Sequence, residues 1–295
     1  MNPGAVRLRS AEWLLAVYFG YVALISPRFA LGPQIEWRPF AVEVLVCALF
    51  FAMAYGEAYE NGKLFSIMRD WAAVALILAA YREMDWFSAR ARNFQLELTW
   101  VKWDRAILYR GGLLRAIESL GVAGPIYLEV CYALVYAVAP FFVAIMYANS
   151  HRSRVKGALY WYLLGTLASY ALFPYFPSDP PRVAFGGTDL PNIFTPARQL
   201  NLWLVGDYGI HSSVFPSAHV SSAFTAAWVL FAFMPSRKQY GWAMLVYAVS
   251  VSIATVYGRY HYAADAAAGF AISLIPGVMI LLVRFLRVRG LLAPP

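Results

Sequence analysis

Charge is scarce in this chain: 14% of its 295 residues are Asp, Glu, Lys or Arg, against about 25% in soluble domains. Apolar residues make up 61% and mean hydropathy is +0.56, which excludes an ordinary water-soluble globule and implies an integral membrane protein. Alternating ten-residue strands are missing, so the spans are helices and not a barrel. Cysteine is nearly absent. Cys47 and Cys131 both lie in apolar runs and read as core residues, not as a disulfide or metal site. A compact His-Glu-x-x-His pair is missing, and with it the usual zinc-hydrolase signature. Internal repeats, common in transporters, are also missing. No small-residue cleavage site follows Arg7 and Arg9, so the first hydrophobic segment reads as an uncleaved helix. The net charge of +8 reflects membrane-anchoring arginines and gives no reason to expect a nucleic-acid partner.

What is present is a series of long apolar runs. A span needs roughly 20 apolar residues. Eight candidates lie near 11–31, 40–56, 66–83, 125–148, 155–176, 217–235, 241–257 and 263–285. With eight spans, Arg7, Arg9, Arg152, Arg154, Lys156, Arg237, Lys238, Arg284, Arg287 and Arg289 all fall on one side, which is therefore cytoplasmic. The 177–216 and 258–262 loops then share the other face. Residues 84–124 break this rule, because they place Arg90, Arg92, Lys102, Arg105, Arg110 and Arg115 outside. Leu96, Trp100, Trp103 and Ile107 recur there at helical spacing, with Glu97, Lys102, Asp104 and Arg105 on other faces. The segment reads as an interfacial amphipathic helix broken at Gly111-Gly112, a surface anchor with no part in chemistry.

Two polar islands at helix mouths carry the chemistry. Phe215-Pro216-Ser217-Ala218-His219 combines a helix-start signal with a histidine in the first turn. A helix N-terminus offers free N–H groups to a phosphate. His261 and Asp265 are spaced i to i+4, so a carboxylate can fix the imidazole tautomer. Arg182, in Ser178-Asp179-Pro180-Pro181-Arg182, and Arg259 supply guanidinium groups that match phosphate oxygens. Arg198 shares the outer loop without a motif. His211 is a candidate headgroup contact, and Asp207 ranks with it. Glu43 and Glu129 fall inside predicted spans, where a charge needs a partner; Glu129 is a candidate cavity-lining residue. His151 sits among cytoplasmic basics and has no assigned role.

Pro-Ser-x-His followed by His-x-x-x-Asp resembles the type 2 phosphatidic acid phosphatase superfamily of six-helix phosphatases and phosphotransferases. The resemblance covers roughly 66–285. It implies an all-α integral membrane protein of about eight helices: two added N-terminal helices in 1–65, and a six-helix catalytic core in 66–295 that contains the interfacial segment 84–124. The family's lysine followed seven residues later by Arg-Pro is not present; Pro180-Pro181-Arg182 occupies the equivalent loop. The usual Ser-Arg aligns with Ala254-Thr255, with Arg259 as its replacement. These departures resemble the branch that contains inositol phosphorylceramide synthase. By resemblance, His261 is the nucleophile, Asp265 orients it, and His219 protonates the leaving oxygen and then activates the acceptor. Arg182, Arg259 and Ser217 hold the phosphate, with no metal and no cofactor.

The expectation is a phosphotransferase that moves a phosphate-containing headgroup between lipid substrates, with an inositol-like or other alcohol acceptor. It is expected in the plasma (inner) membrane, with both termini cytoplasmic and the site on the other face. Three alternatives stay open: a lipid phosphate phosphatase that uses water, a metal site built from His211, His219, His261 and Asp265, and a non-enzymatic lipid-binding or transport protein. The sequence does not specify an oligomeric state.

Overall fold

The computed structural model describes residues 5–29, 31–32, 34–87, 94–149, 151–187 and 189–291. Arg90 and Arg92 lie outside the described residues. Among the described residues there is no strand, and the chain is all-helical. In chain order the helices are α1 (Ser10–Ile25), α2 (Arg38–Tyr59), α3 (Gly62–Glu83), α4 (Gln95–Arg105), α5 (Leu113–Glu118), α6 (Ala123–Ala133) and α7 (Val138–Ala148). They continue with α8 (Arg152–Tyr170), α9 (Pro181–Ala184), α10 (Pro196–Asp207), α11 (Ala218–Phe233), α12 (Lys238–Tyr257) and α13 (Ala263–Val288).

Six of the helical stretches are long and apolar enough to cross a membrane: Ser10–Phe29, Arg38–Tyr59, Gly62–Phe87, Ala123–Ala148, Pro235–Tyr257 and Ala263–Val288. This is a membrane protein, but the expected eight spans become six by that measure. The other two segments are helical at the expected places. Helix α8 opens on Arg152, Arg154 and Lys156, which dilute its hydropathy. Helix α11 has 16 residues and so rises only about 24 Å. It is also the helix least in need of a lipid-facing surface, because it packs against α8, α12 and α13 and most of its residues are buried.

Small residues permit that central packing. A Cβ on Gly165 of α8 would meet Thr225 Oγ1 at 2.2 Å, and one on Gly269 of α13 would meet the Ser217 carbonyl at 2.3 Å. Ser221 Oγ donates to the Gly165 carbonyl at 2.7 Å across the same interface. Helix starts follow local chemistry. Thr195 Oγ1 accepts the Arg198 amide at 3.1 Å, with Pro196 in the first turn, and Ser217 Oγ accepts the Val220 amide at 3.4 Å.

The interfacial segment is helical and breaks near Gly112, whose φ is +75°. Its orientation differs from a soluble amphipathic helix. Leu96, Leu98, Trp103 and Ile107 are exposed, while Glu97, Asp104, Val101 and Leu108 are buried. In contact with lipid, the apolar side can face outward and the acids turn toward protein partners. The reading of a surface anchor with no link to the site is therefore revised below.

Candidate active site

Helices α11 and α13 present their first turns side by side, because the Ser217 amide donates to the Asp265 carbonyl at 2.9 Å. This brings the two polar islands together. The rings of His219 and His261 have centroids 5.5 Å apart and stand at 87°. Both line one cleft with Arg182, Tyr81, Tyr132, Tyr136 and Tyr260. Tyr132 and Tyr136 meet the His219 ring edge-on at 5.3 and 5.4 Å, and Tyr132 stacks on Tyr260 at 3.9 Å.

His261 is held at Nδ1. That atom donates to the Val214 carbonyl at 2.8 Å and lies 3.2 Å from Asp265 Oδ2. Both partners only accept, so Nδ1 carries the hydrogen and Nε2 keeps its lone pair. Burial lowers the His261 pKa to about 3, against the Val214 hydrogen bond, and the nearby Arg182 charge adds to the lowering. The imidazole is therefore neutral near pH 7. Asp265 Oδ2 also accepts the Tyr262 amide at 2.9 Å, which caps α13, while Oδ1 is buried with no hydrogen-bond partner among the described residues. The Val214 carbonyl was invisible in the sequence, because a backbone acceptor leaves no residue-type signal.

Arg182 reaches the cleft with its guanidinium 5.5 Å over the Tyr260 ring, and that group makes no hydrogen bond or ion pair among the described residues. Arg259 does not line the cleft. Its φ is +60°, its backbone carbonyl accepts the Arg182 amide at 3.1 Å, and its Nη1 bonds Asp104 Oδ2 at 2.5 Å. Its Nη2 lies 3.9 Å from Asp189. Burial pushes the Asp104 carboxyl up, with Arg259 and the Ala263 amide opposing that shift. Arg259 is thus paired to a carboxylate, where the sequence suggested a phosphate contact. Ser217 is fully buried and caps α11, and its side chain is not part of the cleft wall.

His211 is exposed on the loop rim, where its amide donates to Asp85 Oδ1 at 2.7 Å. It does not join the two facing histidines, and the described residues form no group of three or more His, Cys, Asp or Glu side chains placed to hold a metal. Glu129 lines neither the cleft nor the cavity beside it. Its carboxylate accepts Arg198 Nη1 at 2.9 Å, Asn201 Nδ2 at 2.7 Å and the Tyr260 hydroxyl at 2.6 Å. Arg198 also donates to the Gly258 carbonyl at 3.2 Å. This network fixes Tyr260 from behind. A Glu inside an apolar run signals that it needs a partner, but nothing in the sequence tied that partner to Arg198.

A second cavity of about 270 Å³ adjoins the cleft. It shares Tyr81, Tyr136, Ala218 and His219 with the cleft, and its other walls are mostly apolar, including Val74, Leu78 and Ala139.

A family model described as the PAP2 superfamily matches residues 119–279, more than half of the chain and inclusive of both histidines and Asp265. No curated protein and no solved structure matches the chain. With the match spanning Arg182, the Pro-Ser-x-His turn and the His-x-x-x-Asp turn that line or support one cleft, the chain belongs to the PAP2 superfamily.

Proposed function

We propose that this protein is a membrane-embedded phosphotransferase that moves a phosphate-containing headgroup between lipid-soluble substrates. Membership of the superfamily supports phosphatase-type chemistry on lipid phosphates. The observation that carries the reading is the Arg182 guanidinium, unpaired among the described residues, in a cleft with two facing histidines, beside an apolar cavity large enough for part of a hydrocarbon chain. A guanidinium without an acid partner suits a phosphate, whose charge it stabilises as the transition state develops.

The His261 Nε2 lone pair attacks phosphorus, and the phosphorus–oxygen bond to the leaving alcohol breaks. The bound phosphate anion favours the imidazolium of His219, which gives that oxygen its proton. The acceptor hydroxyl then passes its proton to His219 and attacks the phosphohistidine, and the nitrogen–phosphorus bond breaks. Val214 and Asp265 hold the His261 tautomer throughout. Arg259 acts behind the cleft and not on the phosphate.

An alcohol acceptor, as in an inositolphosphotransferase, is supported by four tyrosines around the cleft, whose faces suit a polyol or lipid alcohol and leave little room for bulk water. We assign residues 66–295 to the catalytic core and 1–65 to an addition, with α8 and α11 also crossing the bilayer. The arginines at 152, 154, 284 and 287 lie at the end opposite the cleft, which supports a non-cytoplasmic site in the inner membrane.

Product analysis tests this reading. Purified protein in mixed micelles receives labelled phospholipids and lipid phosphates, with and without inositol, in the presence of chelator. A new phosphorylated lipid that depends on added alcohol is expected. Free phosphate alone would make the enzyme a lipid phosphatase and remove the transferase assignment.

A further inference from the structure

Helix α4 lies outside the matched segment 119–279, yet its buried side touches all three stretches that supply the cleft. Glu97 Oε1 accepts the Asp179 amide at 3.3 Å, just ahead of Arg182. Trp100 stacks on Phe215, four residues before His219, at 5.0 Å and 16°. Asp104 is the most committed of the three. Its Oδ2 binds Arg259, and its Oδ1 accepts the Ala263 amide at 2.8 Å, an N–H at the start of α13 that the helix itself leaves unpaired. His261 lies midway between these two anchored residues. Asp104 is fully buried and does not line the cleft, so any effect it has on chemistry passes through the 259–263 segment. The other side of α4 exposes Leu96, Leu98 and Trp103, a surface suited to the headgroup layer.

We propose that α4 is a brace laid in the membrane interface, and that Asp104 is a positioning residue that holds His261 in register by gripping the chain on both sides of it. A carboxylate serves because it accepts from the guanidinium and the amide at once. Loss of its charge leaves buried Arg259 with the more distant Asp189 carboxylate, 3.9 Å from Nη2, as its remaining counter-ion. The kinetic readout rests on the proposed reaction; the spectroscopic one does not.

The test compares wild type with Asp104→Asn in nanodiscs, by steady-state kinetics and by NMR of ring-¹⁵N-labelled histidine, with His261→Asn to assign the resonance. Wild type is expected to show one Nδ1–H tautomer at His261. Asp104→Asn is expected to mix tautomers and to lower kcat by about 100-fold, the scale of a small misplacement of a reacting group, with KM nearly unchanged. A wild-type tautomer pattern together with wild-type kcat per folded molecule would overturn the proposal. A disturbed His261 resonance in a protein that turns over no lipid phosphate would sustain the brace and defeat the reaction. If Asp104→Asn does not fold, Asp104→Glu keeps the charge, shifts the carboxylate by one methylene, and carries the same two readouts.

Discussion

Two clusters of polar and charged side chains occupy opposite ends of the bundle and follow opposite rules. Near the start of α1, Arg9 bonds Asp70 and Glu57 at 2.7 and 2.8 Å, and Arg69 bonds Glu57 at 2.6 Å and also Glu12. Tyr147 adds a hydrogen bond to Asp70 at 2.6 Å. Every carboxylate there meets a cation, and the cluster ties α1, α2 and α3 to α7. At the cleft, the Arg182 guanidinium has only a ring face and the His219 ring has no hydrogen bond among the described residues. Paired charge holds helices together. Unpaired charge, kept in place by neighbours that are themselves paired, is available to a substrate.

Substitutions should separate the two ends cleanly. His261→Ala should abolish turnover, a loss of about 10⁴-fold or more, with the fold retained by circular dichroism. Residual turnover at the wild-type rate would remove the nucleophile assignment. His219→Ala should cost about 10²–10⁴-fold in kcat, the usual weight of a general acid, and less for donors with good leaving groups. Arg182→Gln should lower kcat/KM by about 100-fold, measured on the same lipid substrate, because it removes a charged donor and leaves the fold unchanged. Arg69→Ala should do the reverse. Breaking its buried pairs should cost about 3–5 kcal/mol of stability, read from unfolding in detergent, while kcat per folded molecule stays at the wild-type value.

The smallest expected effect is on pH. His261 folds with a pKa lowered to about 3 from an ordinary 6.5. Between those values the unfolded chain binds a proton that the native chain does not, so His261 makes stability fall as pH drops through that window. Thermal unfolding between pH 7 and 4 should show this slope, and His261→Asn should flatten it. An unchanged slope would place the burial of His261 in doubt.

Much of this organisation was legible from residues alone. Every hydrophobic run is helical, because long apolar segments in lipid have few alternatives. Helix-start signals placed Ser217 and His219 well, since a cap acts over three or four residues. The failures share a cause. Arg259 and Glu129 were read by residue type, but their behaviour is set by partners far away in sequence, Asp104 and Arg198. On α4 the spacing of Leu96, Trp103 and Ile107 marked an apolar side, but nothing in it tied the buried Asp104 to Arg259 and Ala263.

Arg259 is the one described residue other than glycine with a positive φ, at +60°. A side chain there costs roughly 1–2 kcal/mol in backbone strain, and glycine costs almost nothing. The chain carries at this turn a residue that the backbone disfavours, and the bond from its guanidinium to Asp104 offsets that cost. Exchange for glycine would subtract the charge and leave the turn's shape alone, whereas exchange for alanine would keep the strain and lose the compensation. The turn's shape and its charge can thus be separated at this single position.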